Sequence, residues 1–187
     1  MAKVLIVYAG DWGSTKKMAD AVAKGVASVA GSKAVVKTAE EVIAGDLTSA
    51  DAVIIGSPVH MGSPDWRIKT FIDKVCSELW MKDAMVGKVA GVFVTGSGFG
   101  SAGGGAELSM LALLNNLAGL GMILVPLPKN TPGYYKGGLQ WGPYGRSMGE
   151  KMEQTGLPEE RLEAAEHHGA NVARVADAVK GKKLLGP

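Results

Sequence analysis

The sequence predicts a three-layer α/β fold built on a parallel sheet. Two observations carry this: four short, unbroken apolar runs rich in Val and Ile, and amphipathic helical stretches that fall between them. A third is the size of the chain: 187 residues of near-average apolar content can bury roughly 70% of the unfolded surface.

The four runs are VLIVY (4–8), AVIIG (52–56), VAGVFVT (89–95) and MILVPL (122–127). Each is too short for a helix, and continuous apolarity without alternation marks strands covered on both faces. AVVK (34–37) is weaker and reads as an edge strand. After the first run, Met18, Val22 and Val26 recur at four-residue spacing, and later Ile68, Phe71, Ile72 and Val75 give a helical stripe. Ser63, Pro64 and Asp65 read as that helix's N-cap, first-turn proline and dipole-favoured acid. A nearly all-apolar helix is expected over 106–118, stopped by Gly119. The last helix, about 158–180, places Leu162, Ala165, Gly169, Val172, Ala176 and Val179 on one face. Only 128–157 lacks a regular pattern; a loop that long inside one domain, with most of the tyrosines, is expected to be functional.

Composition narrows the function classes. With 20 basic and 18 acidic residues and no run of either sign, the chain carries no electrostatic footprint for nucleic acid or an acidic membrane. Cys76 is the single cysteine, which excludes an internal disulfide, a cysteine-ligated cluster or a zinc knuckle, and fits a reducing, cytoplasmic setting. It continues an amphipathic helix and reads as core. The opening residues lack the pattern of a signal peptide, and no membrane span is expected. His167 and His168 are helical neighbours facing apart, so no metal site is expected there.

The loop AGDWGST (9–15) is where function first shows. Gly10 and Gly13 give G-x-x-G, not the dinucleotide pattern G-x-G-x-x-G, and no Gly-Lys-Ser/Thr closes a triphosphate loop. What remains is a strand, a tight turn and a helix N-terminus, whose free amides and dipole favour one anionic group. Ser14 and Thr15 offer hydroxyls, and Lys16 or Lys17 offers charge. The competing reading is a plain turn and cap. Two further loops, SPVHMGSP (57–64) and GSGFGSAGGG (96–105), weigh against it. In a parallel five-stranded sheet of order 2-1-3-4-5, loops after the first, third and fourth strands meet at the carboxyl edge, beside the topological switch point.

These residues resemble the flavodoxin-like fold, and more specifically the WrbA family of FMN-dependent NAD(P)H:quinone oxidoreductases. The resemblance rests on VYAGDWGSTKKMA, GSPVHMG with FIDKV, LW at Leu79 and Trp80, FVTGSGFGSAGGGAE, LAGLGMILVPLP, WGPYG and HHGANVARVADAV, in that order over nearly the whole chain. It implies one flavodoxin-like domain over 1–187. It also implies FMN as cofactor, its phosphate held by Gly10, Asp11, Trp12, Gly13, Ser14 and Thr15. Pro58, Val59, His60, Met61 and Gly62 would line the flavin ring, as would Thr95, Gly96, Ser97 and Gly98. Trp80, Trp141 and Tyr144 would wall a substrate pocket, partly from neighbouring subunits of a homo-oligomer, dimer or tetramer. NAD(P)H is then co-substrate and a quinone the acceptor, with no protein acid–base pair required; His60 is the one candidate catalytic side chain.

Several positions depart from the family pattern. Gly10 stands where a hydroxyl is usual, Val59 and His60 where Thr and Arg are common, and Leu120 where a His is frequent. Asp11 is an unfavourable neighbour for a dianion unless its side chain turns to solvent, and Phe99 to Ala102 lengthen the third loop over the pocket. A one-electron carrier and an FMN-binding module with lost catalysis are the rival readings. The mild basicity of the chain disfavours the carrier.

Overall fold

A computed structural model describes residues 1–98 and 103–186. In chain order the elements are β1 (Lys3–Tyr8), α1 (Ser14–Ala27), β2 (Lys33–Thr38), α2 (Ala44–Ser49), β3 (Ala52–His60), β4 (Ser63–Pro64) and α3 (Trp66–Phe71). A π-helical turn (Ile72–Cys76) joins α3 to α4 (Ser77–Trp80). There follow β5 (Val89–Gly96), α5 (Ala106–Gly119), β6 (Ile123–Leu124), α6 (Tyr134–Gly137), β7 (Gly138–Leu139), β8 (Gly142–Arg146) and α7 (Glu159–Val179).

The sheet runs β2-β1-β3-β5-β8-β7, with β4 added to β3 and β6 to β5. Its parallel core keeps the expected 2-1-3-4-5 arrangement, but two pieces share the fifth position. Ile123 and Leu124 pair with Val89 and Ala90 at the start of β5. Tyr144, Gly145 and Arg146 pair with Val94, Thr95 and Gly96 at its end. Pro126 and Pro128 cannot donate to a ladder, so the chain leaves the sheet there. It makes α6 and the antiparallel β7–β8 hairpin before re-entering. The segment 128–157 therefore carries α6, β7 and β8, where an unpatterned loop was expected.

Alternate strand residues face opposite layers. Leu5, Val7, Val53 and Ile55 pack with Ile68, Phe71, Met110 and Leu113 from α3 and α5. Val4, Ile6 and Ile54 pack with Met18, Val22, Val172 and Ala176 from α1 and α7. Each of these buried Val, Leu, Ile, Met and Phe side chains contributes about 1.5–3 kcal/mol, which makes both layers substantial. Helices α1 and α7 approach backbone to backbone: a Cβ on Gly25 would sit 1.8 Å from the Glu166 carbonyl oxygen, and one on Gly169 2.1 Å from that of Val22.

The start of α3 corrects the expected cap. Ser63 and Pro64 pair antiparallel with His60 and Val59 as β4. Asp65 is the N-cap, its Oδ1 accepting from the Arg67 amide at 2.8 Å. Cys76 is buried, and burial pushes its thiol up to about 12, as expected of a core residue. Among the described residues, no helix is long and apolar enough to cross a membrane.

Candidate functional site

Where β1 ends, the chain turns into α1 through Gly13, which holds the N-cap place in a left-handed conformation (φ 83°). Among the described residues no side chain caps this helix, and no acid lies in its first turn. Its positive end therefore opens bare into a cleft of about 250 Å³. Lys17 lines that cleft, while Lys16 is engaged with Asp20 at 2.7 Å.

Gly10 is explained by space. A Cβ there would lie 2.8 Å from Thr15 Oγ1, so only glycine lets the Thr15 side chain fold beneath the loop. Thr15 is buried, and its hydroxyl shares a 2.8 Å hydrogen bond with that of Thr95 at the end of β5. That bond ties the first loop to the third. The second and third loops also touch: a Cβ on Gly105 would come within 2.6 Å of Gly62 Cα. Between β3 and β4 the chain reverses at Met61 (φ 49°) and Gly62 (φ 78°), with Met61 fully exposed.

Residues 10–15, 58–60 and 95–97 all line the one cleft. Met61, Gly62 and Gly98 belong to the same loops but lie outside its lining. Phe99 to Ala102 fall outside the described residues. The three expected pocket aromatics do not assemble here. Trp80 borders a separate hollow with Ile72, Cys76 and Leu120, between the π turn and α5. Trp141 packs against the core on the α3–α5 side. Tyr144 lies under the Arg161 guanidinium at 5.6 Å; its buried hydroxyl has no partner among the described residues, and burial raises its pKa. Conversely, Ser147, Met148, Gln154, Gly156 and Leu157 line the cleft from the segment after β8. No residue pattern in the sequence marked them; only the length of the excursion pointed there.

A charged network borders the cleft on the side of the second loop. Arg67 Nη1 donates to Asp11 Oδ1 at 2.8 Å and Nη2 to Asp11 Oδ2 at 2.9 Å. The same guanidinium donates from Nε to Asp65 Oδ1 at 2.9 Å and from Nη2 to Asp65 Oδ2 at 2.8 Å. Asp65 is wholly buried. Burial alone would raise its pKa; hydrogen bonds from Arg67 outweigh that and hold it below the ordinary carboxylate value. The Arg67 pKa is raised in turn, through its hydrogen bonds to Asp65 and then Asp11. His60 Nδ1 lies 3.2 Å from Asp65 Oδ2, and the His60 ring meets Trp12 edge-on with centroids 6.3 Å apart. Asp11, His60 and Asp65 bring metal-ligand atoms within 4.8 Å of one another, but Arg67 is already the cation that both carboxylates hold.

A cleft at the switch point of a 2-1-3-4-5 sheet, opening on an uncapped helix start, is the arrangement of the flavodoxin-like fold. Residues 5–93 match the family model described as a Flavodoxin domain. The NAD(P)H dehydrogenase (quinone) of Geobacter sulfurreducens is 32% identical over 208 aligned positions, covering 95% of this chain and 99% of that protein. A flavodoxin of Aquifex aeolicus is 36% identical over 124 residues, 66% of this chain and 64% of its own length. Among solved structures, a flavodoxin, WrbA-like protein from Agrobacterium tumefaciens superimposes with a TM-score of 0.74 at 27% identity, covering 96% of this chain and all of that one. The chain belongs to the family of WrbA-type NAD(P)H:quinone oxidoreductases.

Proposed function

We propose that the protein is an FMN-dependent NAD(P)H:quinone oxidoreductase working by two-electron, ping-pong transfer. The observation that carries this is the meeting of three loops around the uncapped start of α1. A mononucleotide brings one terminal dianion, and one bare helix end with Lys17 at its rim suits it. Main-chain N–H groups of residues 13–15 and the Ser14 hydroxyl would hold the phosphate. Residues 58–60 and 95–97 would flank the ring, where main-chain donors stabilise the negative charge that reduction adds. Bound there, FMN would supply two-electron hydride chemistry between NAD(P)H and a quinone acceptor. His60, which lines the cleft 3.2 Å from Asp65, would contact the ring or the acceptor.

Trp80 borders a different hollow, and neither Trp141 nor Tyr144 lines the cleft, so an aromatic wall over the acceptor would need other copies. The proposal accordingly includes a homo-oligomer, dimer or tetramer, of one flavodoxin-like domain per chain in the cytoplasm. The test is anaerobic. NAD(P)H should bleach the yellow holoprotein and benzoquinone should restore its colour. A yellow protein that NAD(P)H does not bleach favours the one-electron carrier, the reading to which the Aquifex aeolicus flavodoxin points. A colourless protein that takes up no FMN refutes both.

A further inference from the structure

Asp11 poses an electrostatic problem for the cleft. It belongs to the loop that opens on the start of α1, and a free carboxylate there would repel any phosphate drawn to the same amides. The structure shows what prevents this. Both Asp11 oxygens are taken by Arg67, at 2.8 and 2.9 Å, while the Asp11 backbone stays in the loop. Arg67 is itself immobilised by the buried Asp65, at 2.9 and 2.8 Å, and its side chain is only 14% exposed. Glu40 adds a weaker contact at 3.9 Å. A planar guanidinium with donors along two edges can grip two carboxylates at once; an ammonium on a flexible stem cannot hold that geometry.

We infer that Arg67 is a positioning residue of the phosphate site: it draws the Asp11 carboxylate aside and neutralises it, so that a loop carrying an acid can still bind a dianion. The inference rests on the FMN reading and deepens it. Arg67 acts through Asp11, not on the cofactor. It also locks the first loop to the start of α3, 56 residues away in sequence. The residue that makes the loop a poor phosphate site by its sequence is thus the residue that joins it to the start of α3.

The test is a double-mutant cycle read by FMN titration, following quenching of flavin fluorescence, with melting temperature as a separate readout. Wild type should bind FMN. Arg67→Gln should weaken binding on the order of tenfold, by releasing a charge close to the phosphate. Asp11→Asn alone should bind at least as tightly as wild type. Asp11→Asn with Arg67→Gln should recover to within about twofold of Asp11→Asn, since the charge that Arg67 restrains is then gone. Because Arg67→Gln leaves the buried Asp65 unpaired and endangers folding, the same cycle is repeated in an Asp65→Asn background, where no buried carboxylate is stranded.

Recovery in either background supports the inference. Equal weakness of the single and double variants in both backgrounds overturns it, because Arg67 would then touch the cofactor or merely hold the fold. Unchanged binding by Arg67→Gln overturns it as well. A wild-type chain that binds no FMN fails at the first titration and overturns the cofactor reading together with this one.

Discussion

His168 makes the stability of this fold depend on pH in a way that one substitution should remove. It lies on α7, wholly buried against β5, where a Cβ on Gly91 would come within 2.8 Å of its Nε2. Neither ring nitrogen has a hydrogen-bond partner among the described residues. Burial pushes its pKa from 6.5 down to about 4. The folded chain therefore holds this imidazole neutral over a range where the unfolded chain protonates it. A depressed folded pKa means stability that is complete above pH 6.5 and is lost as pH falls toward 4. Integrating between those values gives a loss of about 2 kcal/mol at pH 5, relative to pH 7.5. Urea denaturation at the two pH values should show this loss in wild type. His168→Leu, which is close in volume and does not titrate, should lack it. The Leu variant should also be more stable at pH 7.5 by about 1 kcal/mol, since two unpartnered polar atoms leave the core. Asp46, Asp51 and Asp65, whose pKa values are all held low, contribute acid sensitivity of their own. That part is common to both proteins and cancels in the difference. Equal losses in wild type and His168→Leu between pH 7.5 and pH 5 would refute the reasoning.

Gly10→Ala should lower FMN affinity roughly tenfold in a fluorescence titration, because its Cβ would sit 2.8 Å from Thr15 Oγ1 and force the loop off the helix start. Thr95→Val should cost about 1–3 kcal/mol in urea midpoint measurements, by leaving the buried Thr15 hydroxyl without its partner. Thr15→Val with Thr95→Val should cost less than the sum of the two single changes, because no orphaned hydroxyl remains. Gly25→Leu should unfold the chain or reduce its stability by several kcal/mol in thermal melts, as the α1–α7 contact admits no Cβ at that place.

The strands legible from the sequence were those whose signal was local. VLIVY, AVIIG and VAGVFVT are buried on both faces, and their composition says so without reference to a partner. GPYGR forms β8 without a single β-branched residue. Its place in the sheet comes from the ladder that Val94 to Gly96 offer after β6 has ended early. No periodicity could reveal that, because the information lies in another strand. The cap of α3 has the same cause. Ser63 has the right chemistry, but pairing with His60 places it in β4, and the cap falls to Asp65.

The site divides along the same line. Its main-chain part, the glycine turn and the open start of α1, was readable because glycines ahead of a helix admit the left-handed turn that leaves its first amides free. Its side-chain part was not. Gly10 looks like a lost hydroxyl until Thr15 is seen occupying the space a side chain would take. Asp11 looks like a defect until Arg67 is found holding it, and Arg67 carries no signal of its own among the residues of α3. Both departures change meaning through a partner whose position only the folded chain supplies. Substitutions at this cleft are therefore best read in pairs, Gly10 with Thr15 and Asp11 with Arg67, since each member alone predicts the opposite of what the pair does.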